Sequence, residues 1–214
     1  ESHSKRILEV LKKYLNMKEI PNHIECFDNS NIQGKYPVSS CVVFKNAKPS
    51  KKDYRIFNIK DVEGPNDFAT MEEVIYRRYF RLISEKQQLP QLIIIDGGKG
   101  QLNSAYKVLK NLEIDEKITI IGIAKKLEEI FFYNDPIPLF LDKNSESLKL
   151  IQSLRNEAHR FGITHHRNLR SKSFISSELE EIRGIGSKTA EYLLKIFHSV
   201  ERVKTADKEA LVKA

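Results

Sequence analysis

Residues 92–101, Leu-Ile-Ile-Ile-Asp-Gly-Gly-Lys-Gly-Gln, join an apolar run to an acidic residue and a glycine turn. The apolar side chains run without alternation, the pattern of a strand covered on both faces. The run ends at Asp96, and Gly97-Gly98 open a turn from which a helix can start. A helix-spaced segment at 102–112 follows, then a second unalternating run at 118–123. Upstream, three strand-like runs at 23–28, 38–44 and 54–59 are separated by turn-rich segments at 29–37 and 46–53. Connections that short favour an antiparallel meander. Between the meander and residues 92–101, Phe68, Met71, Ile75, Tyr79 and Leu82 recur at helical spacing, with Asn66 and Asp67 as candidate N-caps. Three meandering strands followed by helix, strand, helix and strand predict an α/β fold with a mixed sheet flanked by helices.

Working outward, Ile7, Leu8, Leu11 and Leu15 have helical spacing, and Pro21 forbids continuation. A long helix is expected over 145–166. On it Ile151, Leu154, Ala158 and Phe161 make one apolar stripe, and Gln152, Arg155 and His159 a polar stripe beside it. The remaining residues form two short amphipathic segments around Gly184-Ile-Gly186. A domain boundary is expected in the basic, serine-rich stretch 170–177, giving domains 1–170 and 171–214.

The 214 residues suffice for one sizeable domain and a smaller second one, at roughly 150 residues per domain. With 40% hydrophobic and 30% charged residues the composition is that of an ordinary globular chain, which excludes disorder and collagen. No apolar run approaches the roughly 18 residues of a membrane span, so no membrane partner is expected. The first residue is Glu and the last ones are helix-like and uncapped, as expected of a piece excised from a longer chain. Cys26 and Cys41 sit in apolar runs without a Cys or His at metal-finger spacing, and read as buried thiols in a reducing compartment. A net charge of +7 raises the odds of a polyanionic partner, and the charge is concentrated in Arg155, Arg160, Arg167, Arg170 and Lys172.

Asp28 ends the first strand-like run and Asp96 the fourth. If those strands are parallel neighbours, both carboxylates emerge at the carboxyl edge of the sheet, where open sheets place ligand sites. Paired carboxylates there can share divalent ions, and two ions about 4 Å apart clamp the attacking and leaving oxygens of a phosphodiester. The plain alternative is that each Asp opens a turn. Gly97-Gly98-Lys99-Gly100 lacks P-loop spacing, yet can set backbone N–H groups and Lys99 beside a phosphate. His159, at the margin of the buried face, can serve as metal ligand or general base, or be a core-edge histidine. Asp67 is open to an N-cap reading, and Arg77 and Arg78 to that of a solvated face. Around Gly184 and Gly186, a short helix, a glycine hairpin and a helix beginning near Ser187 would present N–H groups and Lys188 to a phosphate. A helical corner with a glycine C-cap is the alternative.

Together Ile24-Glu-Cys-Phe-Asp-Asn-Ser-Asn31 with Gly34, Tyr54-Arg-Ile-Phe57, Asn66-Asp-Phe-Ala-Thr-Met-Glu-Glu-Val74 with Arg77-Arg78, Ile95-Asp-Gly-Gly-Lys-Gly-Gln101, Gly122-Ile-Ala-Lys125 and Arg155-Asn-Glu-Ala-His-Arg-Phe161 resemble the C-terminal half of the UvrC family. UvrC is the incision subunit of bacterial nucleotide excision repair. The resemblance runs in order from about residue 21 to 208. It implies a ribonuclease-H-like mixed sheet flanked by helices, followed by a small all-α helix-hairpin-helix segment. It also implies an endonuclease that cuts the damaged strand on the 5′ side of the lesion, in the bacterial cytoplasm. By motif, Asp28, Asp96 and His159 resemble the family's Asp-Asp-His triad, holding Mg²⁺ or Mn²⁺, and Asp67 a further position implicated in 5′ incision. Gly184, Gly186, Lys188, Lys99, Arg77 and Arg78 are the expected DNA contacts. Damaged double-stranded DNA and UvrB are the implied partners, UvrB being contacted mainly by segments upstream.

The chain departs from the family at Asn29 and Asn31, where Ile and often His are usual. Residues 206–212 begin the approach to a second hairpin without reaching a next glycine. The rival reading is a non-catalytic DNA-binding scaffold on the same fold.

Overall fold

The structure is a computed structural model that describes residues 2–30, 38–59, 66–124 and 129–213. Asn31, Gly34 and Lys125 of the motifs lie outside the described residues, as do the side chains of Arg170, Lys172 and the rest of 170–177. Contacts within the chain divide it into two units, Glu1–Ile163 and Thr164–Ala214. That division falls before the basic stretch at which the sequence places a boundary.

In the first unit α1 (Ser2–Tyr14) precedes β1 (His23–Ser30), β2 (Val38–Lys45), the two-residue β3 (Lys48–Pro49) and β4 (Arg55–Asn58). Then come α2 (Asp67–Ser84), β5 (Leu92–Asp96), α3 (Lys99–Asn111), β6 (Thr119–Ile123), β7 (Ile130–Phe132) and the start of α4 (Glu146–Glu180), whose residues from Thr164 onward belong to the second unit. The sheet order is β3-β2-β1-β5-β6-β7, with β4 pairing β2. β1, β2 and β4 form the expected antiparallel meander, while β1–β5 and β5–β6 are parallel. β3 and the antiparallel edge strand β7 go beyond the strands expected from sequence. Both are too short to show alternation.

Every residue of β5 is buried, as its unbroken apolar run requires. Period-two alternation assigns β1 its two faces. Phe27 meets Tyr79 of α2 edge-on at 6.2 Å, and Glu25 bonds Arg78 and Tyr79, so the odd positions face α2. Asp28 reaches α4, so the even positions face that helix. On β2 the Ser40 hydroxyl donates to the carbonyl of Ala158 at 2.8 Å, which fixes α4 against this same face. Ile151, Leu154 and Ala158 are fully buried there, as their stripe demands.

Two helices differ from expectation. α4 extends to Glu180 because no proline, and no glycine after Gly162, interrupts it before Gly184. On α2 the N-cap is Asn66, whose side chain accepts from the Ala69 N–H at 3.1 Å, so Asp67 is the first helical residue rather than the cap. Of the α2 stripe, Met71, Ile75, Tyr79 and Leu82 are buried, but Phe68 is 55% exposed.

The second unit is all-helical beyond the end of α4, with α5 (Ser187–Phe197), α6 (Val200–Thr205) and α7 (Lys208–Lys213). Leu179, Ala190, Leu193 and Val203 form its small core.

Candidate active site

The parallel register of β1 and β5 sets Asp28 directly opposite Asp96. Registered neighbours on parallel strands point to one face, so both carboxylates stand on the α4 side at the carboxyl edge of the sheet. Asp28 is 1% and Asp96 4% exposed. Burying two carboxylates side by side is costly unless something positive or hydrogen-bonding offsets it. His159 supplies part of the offset. Its Nδ1–H donates to Asp28 Oδ2 at 2.9 Å, the tautomer following from the acceptor-only carboxylate. The Ser40 bond to the preceding carbonyl of Ala158 fixes the turn of α4 that carries the imidazole. The His159 side chain remains 51% exposed, with one ring nitrogen held inside and the ring edge reaching solvent.

Asp28 Oδ1 is buried and has no hydrogen-bond partner among the described residues. A buried carboxylate oxygen in that state invites a cation. Among the described residues no three His, Cys, Asp or Glu side chains converge as a ready metal cage. Mg²⁺ commonly takes one or two carboxylates and completes its shell with water and phosphate oxygens. The donors Asp28 and Asp96 fit such a hard cation, and His159, hydrogen-bonded to Asp28, stands beside them. Cys26, two residues before Asp28 on the same face, is held as a thiol. Burial pushes its pKa up, and the charges of Asp96 and Asp28 push it further. Cys41 is likewise buried and reduced.

Asp67 and Asn29 join the start of α2 to this edge. The Asn29 amide donates to the carbonyl of Asp67 at 3.2 Å, so a polar residue at position 29 bridges the end of β1 to the helix N-terminus. An acidic residue in the first turn also suits the helix dipole. At the start of α3 the Lys99 ammonium donates to the carbonyl of Pro136 at 3.2 Å and lies 5.1 Å from the centre of the Phe131 ring. Arg77 is exposed, bonded to Glu73 and to the carbonyl of Asn58, with its guanidinium 5.6 Å from the Phe57 ring centre.

Arg78 is not a surface cation, contrary to its expected role as a DNA contact. Its side chain is 11% exposed and grips Glu25 through Nη2 at 2.6 Å and Nε at 3.2 Å. Tyr79 and His23 donate to the same carboxylate at 2.8 and 3.0 Å. Burial alone would raise the Glu25 pKa, but the bonds from His23 and Arg78 outweigh it and hold the group at about 2. Sequence reasoning passed over Glu25. A charged residue at an inward position of an apolar run was the available signal.

In the second unit Gly184 has φ +99°, a conformation that favours glycine, and Gly186 is the N-cap of α5 without a side-chain hydrogen bond. Lys188 is exposed in the first turn of α5. The arrangement is that of two helices joined by a glycine hairpin, with the first N–H groups of α5 uncapped by any side chain. Asp207 caps α7 by accepting from the Ala210 N–H at 2.7 Å.

These two pieces of architecture each match a known family. Residues 12–163 match the model of the UvrC RNAse H endonuclease domain, and residues 176–214 that of a SAM-like helix-hairpin-helix tandem. UvrABC system protein C of Flavobacterium psychrophilum is 63% identical over 211 residues, which is 99% of this chain and 35% of that protein. The same-named protein of Chlorobaculum tepidum is 50% identical over 204 residues, 95% of this chain and 32% of the relative. The chain thus spans about a third of the length of the curated relatives it matches. Among solved structures, Ciona intestinalis endonuclease V in complex with an inosine-containing DNA is similar with a TM-score of 0.39 and 19% identity, covering 73% of this chain and 65% of that one. No described helix is long and apolar enough to cross a membrane. The family match over most of the chain, on a sheet that sets Asp28 against Asp96 and His159, makes this chain a member of the UvrC family.

Proposed function

We propose that this chain is the metal-dependent endonuclease module that hydrolyses a phosphodiester bond 5′ to a lesion in nucleotide excision repair, acting in the bacterial cytoplasm on damaged double-stranded DNA with UvrB as partner. The observation that carries the reading is the buried Asp28–Asp96 pair at the carboxyl edge, with His159 hydrogen-bonded to Asp28. Two buried carboxylates side by side repel, a cost that a bound cation would remove and that a scaffold without catalysis would carry unrelieved, which favours the nuclease reading.

Asp28 and Asp96 are the residues to hold Mg²⁺ or Mn²⁺. When bound, the cation would supply an activated water and neutralise charge on the phosphate oxygens. Asp28 also orients His159. With Nδ1 committed to Oδ2, proton exchange with the reacting oxygens falls to Nε2. Asp67, at the start of α2 and tied to Asn29, contributes negative charge at the same edge. Lys99 and Arg77 lie on surfaces from which a phosphate backbone can be reached. The glycine hairpin with Lys188 would grip the backbone without reading sequence. Arg78 takes no part.

The test is nicking of a damaged duplex by this chain, alone and with UvrB, in Mn²⁺ and in a chelator, alongside Mn²⁺ calorimetry. Asp96→Asn keeps the shape and removes the charge. It is expected to slow nicking by about 10²-fold or more, the scale for losing one charge-stabilising group, and to weaken Mn²⁺ binding while circular dichroism is unchanged. Nicking and Mn²⁺ affinity equal to the parent's would overturn the assignment.

A further inference from the structure

Phe68 is the one aromatic of the α2 stripe that does not join the core. It opens the helix one residue after Asp67 and is 55% exposed, where the same periodicity buries Met71, Ile75, Tyr79 and Leu82. Its ring rests by one edge on the start of α3. A Cβ added at Gly100 would meet Phe68 Cε1 at 2.4 Å, so the absent side chain at Gly100 makes room for the ring. The ring borders a cavity of about 420 Å³ lined by Asn66, Asp67, Phe68, Gly98, Gly100 and Gln101. That volume lies within the roughly 300–1,000 Å³ of small-ligand sites. Both walls continue directly from the acidic edge. Gly98 follows Asp96 by one intervening residue, and Asp67 is tied to Asn29, the neighbour of Asp28.

An exposed ring beside amide side chains suits a flat group with a polar edge. Gln101 is among the residues lining this cavity, with its Oε1 buried against Gly97. The Asn66 side chain, capping α2 through Oδ1, leaves its Nδ2–H₂ toward a base edge, the ring offers a stacking face, and the adjoining carboxylates mark where a phosphodiester would be held. We propose that Phe68 and this cavity receive an unpaired nucleobase of the DNA strand, stacked on the Phe68 ring, which positions the neighbouring phosphodiester at Asp28 and Asp96. The inference rests on the nuclease reading above. Phe68 is a positioning residue and touches no reacting atom. A protein side chain from a partner is the competing occupant, and the test separates it from DNA.

The sequence contains no tryptophan, so Phe68→Trp creates a single tryptophan reporter at the cavity, excited selectively over the tyrosines. The probes are a duplex with a three-nucleotide bubble, the same bubble with abasic residues, and the fully paired duplex, all in the Asp96→Asn background without metal. Quenching by the bubble and not by its abasic counterpart is expected. Phe68→Ala should weaken bubble binding by about 5- to 150-fold, the range for one base–aromatic stack, and Phe68→Leu should not restore it, since Leu keeps bulk but has no π-face. Equal fluorescence with all three probes, or Phe68→Leu binding like the parent, would overturn the proposal and leave the cavity to a protein partner. The two readings fail separately. Quenching without any nicking by the parent removes the nuclease assignment alone, and nicking unaffected by Phe68→Ala with no quenching removes the stacking site alone.

Discussion

Arg78→Met tests how the first unit is held together, and whether Arg78 belongs to the fold or to the DNA surface. Methionine keeps much of the stem volume and removes the guanidinium that bonds Glu25 at 2.6 and 3.2 Å. Glu25 is fully buried, and after the change, among the described residues, only Tyr79, His23 and the weak Cys41 thiol at 3.8 Å still bond it. Removing one partner of a buried pair costs about 3–5 kcal/mol, because the other charge stays uncompensated in low dielectric. Linkage points to a similar size. The Glu25 carboxyl sits at about 2 against an ordinary value of 4.5, which corresponds to stability on the order of 3 kcal/mol in the parent.

The sign is fixed by the direction of the shift. A depressed carboxyl stabilises the fold above the unfolded-state value near 4.5, and that contribution drains away as the pH falls toward 2. In the variant, burial no longer opposed by Arg78 pushes Glu25 upward, so protonation relieves the fold and the gap to the parent narrows on acidification. Urea unfolding followed by circular dichroism at pH 7 should show a midpoint lower by at least about 1 M, given slopes of about 1–3 kcal/mol per M. The gap should shrink at pH 4. Glu25→Gln added to Arg78→Met should recover part of the loss, since a neutral amide is cheaper to bury than an unpaired charge. A loss under about 1 kcal/mol, or one that does not change with pH, would refute the reasoning and return Arg78 to the class of exposed pairs.

Asn66→Ala removes the side chain that caps α2 and should cost about 0.5–2 kcal/mol in the same unfolding assay; an unchanged midpoint would mean the cap is replaced by solvent without penalty. Lys188→Glu should weaken DNA binding and flatten its salt dependence by about one unit in the slope of log K against log salt, while leaving Mn²⁺ affinity unaltered. An unchanged slope would favour the helical-corner reading of Gly184-Ile-Gly186.

Much of this protein was legible before folding, because local patterns encode local structure. Unalternating apolar runs marked β5 and β6, period-3.6 stripes marked α1 to α4, and Asp28 and Asp96 stood visibly at strand ends. The Gly184-Ile-Gly186 corner and the UvrC motifs were equally readable, since each depends on residues close together in the chain. What pairs with what across the fold was settled by packing. Parallel register, set by burying both faces of β5, put Asp28 opposite Asp96 rather than one residue away, and so on the same face. The Ser40–Ala158 bond brought His159 to a carboxylate 131 positions distant in sequence. Arg77 and Arg78 look alike in sequence, yet one helical step of about 100° leaves the first exposed and turns the second onto Glu25. Phe68 carries the same apolar signal as Met71, but it lies in the first turn of its helix with its ring against Gly100 of α3, and stays half exposed. Periodicity states which side chains share a face, whereas whether that face meets core, carboxylate or solvent depends on contacts between segments far apart in the chain.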